Sequence, residues 1–192
     1  MNDNTKKAAM FGLDARIALA IFGALSVISG AALYSAIQEA KVIALVTELS
    51  ELEKGFESYY IDTGDFPDLY SSGFENAYDF GLLLSASKPG WAGPYLSQDY
   101  NSVDQKFAYS VRATTGLFAY FKYDDWGIGS AGSPSCIATE KCAVFIELDA
   151  IPRAMADKID ERIDGVKGSA VGKIRLHSSA TNPNIYYRTS FS

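Results

Sequence analysis

The sequence predicts an α+β protein: a long N-terminal α-helix, starting as a membrane span and continuing as an amphipathic half, packed on a small antiparallel β-sheet. Three observations carry this. Residues 17–37 form an uninterrupted apolar run, apolar residues then recur at spacings of three and four from Val42 to Tyr59, and past residue 104 the pattern changes to short strand-like runs. A chain of 192 residues suits one modest core carried on an extra segment. Its 48% apolar and 21% charged residues, with twelve Tyr and eleven Phe, are those of an ordered protein.

Residues 1–9, MNDNTKKAA, are polar and end in the basic pair Lys6 and Lys7 followed by two small residues, which reads as a leader outside the fold. Ile17 to Ile37, IALAIFGALSVISGAALYSAI, has no charge over twenty-one residues. At the helical rise it reaches about 31 Å, the thickness of a hydrocarbon core. Lys6, Lys7 and Arg16 precede the span, so the N-terminus is expected in the cytoplasm and the rest across the membrane. The run exceeds the apolar region of a cleaved secretory signal and lacks a small-residue cleavage site after it, so it is expected to be retained. Gly23, Ala24, Gly30, Ala31 and Ala32 leave room for close helix approach within it.

The helical pattern does not stop at Ile37. Val42, Leu45, Leu49, Leu52, Phe56 and Tyr59 form an apolar stripe, with Glu39, Lys41, Glu48, Glu51, Glu53 and Lys54 between them. No proline interrupts residues 13–60, and the first stop signal is the turn Asp62-Thr63-Gly64-Asp65-Phe66-Pro67. The expected divisions are a leader at 1–9, a long helix at 10–60 containing the span 17–37, and an α+β domain at 61–192.

Within that domain, residues 62–104 read as a loop. Residues 106–113 and 116–123 read as a hairpin around Thr114, Thr115 and Gly116, and Cys142 to Leu148 as a third strand. Ile151 to Asp164 reads as a helix starting near Pro152 and ending at Gly165, with closing strands at 172–177 and 185–191.

Chemistry-bearing residues are few. The net charge of −6, with no basic cluster, argues against direct nucleic-acid binding. Cys136 and Cys142 stand six apart beside Pro134 and Ser135. A metal site would need further ligands, yet His177 is the only histidine, so the residues favour a disulfide and hence an oxidising compartment. His177, beside Ser178 and Ser179, is the one candidate imidazole base, and its bland reading is a partly exposed structural residue. Asp160 and Asp164, four apart on one helix face, could hold a cation or simply form a solvated face. Asp124 and Asp125, followed by Gly127, Gly129 and Gly132, are calcium candidates on a flexible loop, against the reading of ordinary loop carboxylates.

A short basic leader, an acidic residue just before a long apolar run, and an unbroken change into an amphipathic helix resemble the type IV pilins and the pseudopilins of type II secretion. Trp91-Ala92-Gly93-Pro94-Tyr95-Leu96 is similar to a loop segment of pseudopilins and minor pilins, where Trp91 and Tyr95 are expected to seal the loop onto the core. Lys158 to Gly165 and Gly172 to Arg175 are similar to a helix-loop-strand stretch of such proteins.

The resemblance implies cleavage by a prepilin peptidase between Ala9 and Met10, methylation of Met10, and an assembly role for Asp14 at the family's acidic position. Ala9 stands where the family uses glycine. A second register, between Gly12 and Leu13, keeps the glycine but puts Ile17 at the acidic position, and the family's usual proline within the apolar helix is absent. The chain would then be a structural subunit rather than an enzyme, held in the bacterial inner membrane with a periplasmic domain. It would assemble with like or related subunits into a fibre, driven by a cytoplasmic ATPase and a platform protein. It would need no cofactor, except that major pseudopilins carry a calcium loop to which Asp124 and Asp125 could correspond. Two alternatives are a non-assembling, signal-anchored periplasmic binding module and a membrane-anchored hydrolase, although no nucleophile and base pair is evident for the latter.

Overall fold

The computed structural model describes residues 3–69, 77–97, 100–101, 106–107, 117–123, 141–148, 151–168, 172–176 and 181–190. The chain divides into two compact units, Met1–Ala40 and Lys41–Ser192. A helix, α1, spans Asp3–Thr63. The helix thus extends through residues 3–9 of the expected leader. The reason is local: Thr5 to Ala9 contains no helix breaker, and adding turns to an existing helix is far easier than nucleating one. At the other end the expected turn stops it. The Gly64 amide donates to the Tyr60 carbonyl at 2.8 Å with φ at 71°, and the Thr63 hydroxyl donates to the Tyr59 carbonyl at 2.8 Å.

In the second unit, the stripe of Val42, Leu45, Leu49, Leu52, Phe56 and Tyr59 is buried to 1% exposure or less. Complete burial of such side chains stabilises a fold by about 1.5–3 kcal/mol each. This packing, rather than helix propensity, holds residues 41–63 in place. After the helix the chain returns through β1 (Ala77–Asp79) and a 3₁₀ turn at Phe80–Leu83. Asp79 caps that turn by accepting the Gly81 amide at 2.8 Å.

The remaining strands are β2 (Tyr100–Asn101), β3 (Lys106–Phe107), β4 (Leu117–Tyr123), β5 (Cys142–Leu148), β6 (Ile174–Leu176) and β7 (Ile185–Arg188). β4, β5, β6 and β7 join β1 in a five-stranded antiparallel sheet in the order β1-β4-β5-β7-β6, while β2 and β3 pair separately. A helix, α2 (Arg153–Asp164), connects β5 to the far edge strand β6, and β7 returns between them. The α+β class is as expected; residues 108–116, most of the first arm and the turn of the expected hairpin, lie outside the described residues. Residues 106–107 pair with 100–101, and β4 is flanked by β5 and, at Phe118–Tyr120, by β1. The segment read as loop thus supplies a strand: three residues are too few to show a period, and β1 forms because β4 offers it an open edge.

Every residue of β5 is buried. Val144, Ile146 and Leu148 join the core under α1, with Ile151, Met155, Ala156 and Ile159 from the start of α2. Ala143 and Phe145, pointing the other way, cluster with Tyr186. A strand covered on both faces reads as a continuous apolar run, as Cys142 to Ile146 does.

Candidate functional site

The most distinctive surface lies in the first unit. Ile17, Leu19, Phe22, Val27, Leu33 and Ile37 are between 44% and 73% exposed, and so are the other large apolar residues of this stretch. Apolar residues lie all round the helix rather than along one stripe, the pattern of a helix meant for a hydrocarbon surrounding. The Ser26 hydroxyl donates to the Phe22 carbonyl at 2.8 Å, which satisfies a polar group inside the helix itself. A Cβ added at Gly23 or Gly30, seven residues apart and so nearly on one face, would meet nothing within 4 Å. Among the described residues, one helix is long and apolar enough to cross a membrane. Asp14 and Arg16, at the start of the apolar run, are exposed. Ala9, Met10, Gly12 and Leu13 are helical residues of α1.

In the second unit the Trp91–Leu96 segment docks on the lower part of α1. The Trp91 indole donates to the Leu82 carbonyl at 3.1 Å. The Tyr95 hydroxyl accepts the Ala92 amide and donates to Asp62 Oδ2, both at 2.8 Å. The Tyr95 ring stands edge-on to both Tyr59 and Trp91. Close approach is possible because residue 55 is glycine: a Cβ there would lie 2.6 Å from Leu96 Cδ2 and 3.0 Å from the Tyr95 carbonyl. A groove of about 540 Å³ opens beside this contact, lined among others by Glu51, Lys54, Ser58 and Pro94.

Glu53 is the polar residue whose role the sequence reading missed, having placed it between the apolar positions with the other charges. Its Oε2 accepts the Tyr187 hydroxyl at 2.6 Å and its Oε1 accepts the Ser190 hydroxyl at 2.7 Å. Burial pushes its carboxyl up, but the Ser190 amide, the two hydroxyls and the charge of Lys173 outweigh burial and hold it below the usual value of 4.5. The only signal in the sequence was its place next to Leu52 on the border of the stripe.

The reading of Asp160 and Asp164 as a solvated face requires a correction at Asp160, which is buried, while Asp164 is half-buried. Asp160 is 1% exposed, and its Oδ2 accepts the Gly168 amide at 2.7 Å. Asp164 accepts the Lys173 amide on Oδ1 at 2.9 Å and the Ile174 amide on Oδ2 at 2.8 Å. One oxygen of Asp160 and both of Asp164 thus hold the backbone that follows α2, where Gly165 takes the left-handed conformation at the helix end. Cys142 is buried at the start of β5 and is disulfide-bonded. Cys136, Asp124, Asp125 and His177 lie outside the described residues. Among the described residues no three His, Cys, Asp or Glu side chains converge as metal ligands do.

No family model, no curated protein and no solved structure matches the chain.

Proposed function

We propose that the chain is a structural subunit of a type IV pilus or a type II secretion pseudopilus. One observation carries the reading: a single helix holds a charge-free, exposed apolar stretch at 17–37 and, from Val42 to Tyr59, a stripe buried in a folded domain. Such a helix serves a subunit that rests in a bilayer by its first half and presents a folded domain by its second. Transfer from lipid to a bundle of like helices keeps the apolar surface covered in both places. In this reading a prepilin peptidase cuts between Ala9 and Met10 and methylates Met10, and a cytoplasmic ATPase with a platform protein lifts the subunit from the inner membrane. Asp14 of an incoming subunit pairs with the amine of Met10 on the subunit already at the fibre base, since a carboxylate is costly to desolvate alone.

Mass spectrometry of the N-terminus from membranes tests this: a methylated Met10 supports it, and an intact Met1 favours a plain anchor for a periplasmic binding module. Asp14→Ala is expected to insert and be processed but to enter fibres poorly, while Asp14→Glu enters normally. Normal incorporation of the alanine variant removes the pairing from the mechanism.

A further inference from the structure

The connection between α2 and β6 carries an arrangement that assembly does not use. Asp160 is buried, with Oδ2 on the Gly168 amide and Oδ1 buried without a donor. One helical turn later, both oxygens of Asp164 hold the amides of Lys173 and Ile174. Gly172 lies so close to Asp164 that only glycine fits there: its φ is 108°, and a Cβ would lie 2.3 Å from Asp164 Oδ2. Two carboxyls four apart on one helix face, one buried and lacking a donor, repel when both are ionised. A single proton on Asp160 Oδ1 gives that oxygen a hydrogen to donate toward Asp164 and removes the repulsion.

We propose that Asp160 and Asp164 share one proton and act as a pH-sensitive clasp on the α2–β6 connection, closed while the proton is held and loosened when it leaves. The charged surroundings favour retention. Burial raises the Asp160 carboxyl from 3.8 to about 6, the Gly168 amide opposes this, and the charge and hydrogen bonding of Asp164 and the charge of Asp157 reinforce it. From β7, Tyr187 feels the charge of Asp164, and its hydroxyl is already given to Glu53 of α1. The Lys173 ammonium lies 5.7 Å over the Tyr187 ring. Lys167 pairs with Glu161 at 3.4 Å, and Arg175 of β6 lies over the Phe145 ring.

The sign follows from linkage. A carboxyl whose folded value is raised contributes stability that is complete below 3.8 and is lost as pH rises through about 6. The test uses the full chain in detergent, melted between pH 5 and 7.5. The wild type is expected to lose about 5 °C in Tm across that window. Asp160→Asn, the neutral isostere, should hold nearly the low-pH Tm throughout, and the difference between the two proteins cancels titrating groups outside the pair, His177 included. A parallel fall in both proteins, or none in the wild type, overturns the clasp. Should the asparagine variant fail to fold, carboxyl-carbon NMR of the wild type decides: a midpoint for Asp160 near 6 supports the shared proton, and one near 3.8 overturns it. A rise in Tm at pH 7.5 on adding calcium, seen in the wild type and absent in Asp160→Asn, also overturns it, because the pair would then hold a cation.

Discussion

The Tyr187 hydroxyl donates to Glu53 Oε2 at 2.6 Å across 134 positions of sequence. Ser190 adds a hydroxyl bond to the other oxygen. The last strand and the chain after it are thereby tied to the C-terminal part of α1, on the flank of the stripe that builds the core.

Replacing Glu53 with Ala should destabilise the domain by about 1–2 kcal/mol, the lower part of the range for bonds to a charged group because Glu53 is partly exposed. A carboxyl held below its usual value stabilises the fold above pH 4.5, and that stability is lost as pH falls through the folded value. Acid titration of Tm should therefore be flatter on its acid limb for Glu53→Gln than for the wild type. An unchanged acid limb would show that the tie carries no charge-dependent energy.

Gly55→Ala should lower stability, although alanine is the better helix former by about 1 kcal/mol. The new Cβ would lie 2.6 Å from Leu96 Cδ2, a movable side-chain end, but also 3.0 Å from the Tyr95 carbonyl, which the docked loop holds. Adding Leu96→Ala should recover only part of the loss, since the backbone contact remains. A Gly55→Ala protein as stable as the wild type would mean that the loop yields freely.

A fragment beginning at Lys41 or Val42 should be soluble and monomeric by sedimentation, since it corresponds to the second compact unit and lacks the exposed apolar stretch. Its half of α1 should stay folded through the buried stripe. Filaments formed by that fragment would refute the claim that residues 10–37 drive assembly.

Cys136 and Cys142 are expected to pair within one chain. Thiol labelling of denatured, unreduced protein should find neither free, and reduction should cost a few kcal/mol at most by the chain-entropy account of so short a loop. Labelling at both cysteines without reductant would refute the pairing.

The features legible in the sequence are those written in local periods. The charge-free run at 17–37, the 3.6-residue stripe from Val42 to Tyr59, the stop at Gly64 and the α2 boundaries at Pro152 and Gly165 each depend on residues a few positions apart, whose spacing alone sets which side they face. Only the tertiary structure decided the rest. Ala77–Asp79 became a strand because β4 had a free edge, β6 went to the rim because β7 filled the place beside β5, and the 3₁₀ turn formed where the loop met the core. Glu53 reads as an ordinary surface charge until the remote hydroxyls of Tyr187 and Ser190 close over it, and Asp160 reads so until the chain that follows α2 brings the Gly168 amide onto it. Burial of a polar group depends on which remote segment covers it, and that is settled by the packing of the whole sheet, not by the neighbours of the residue in the chain.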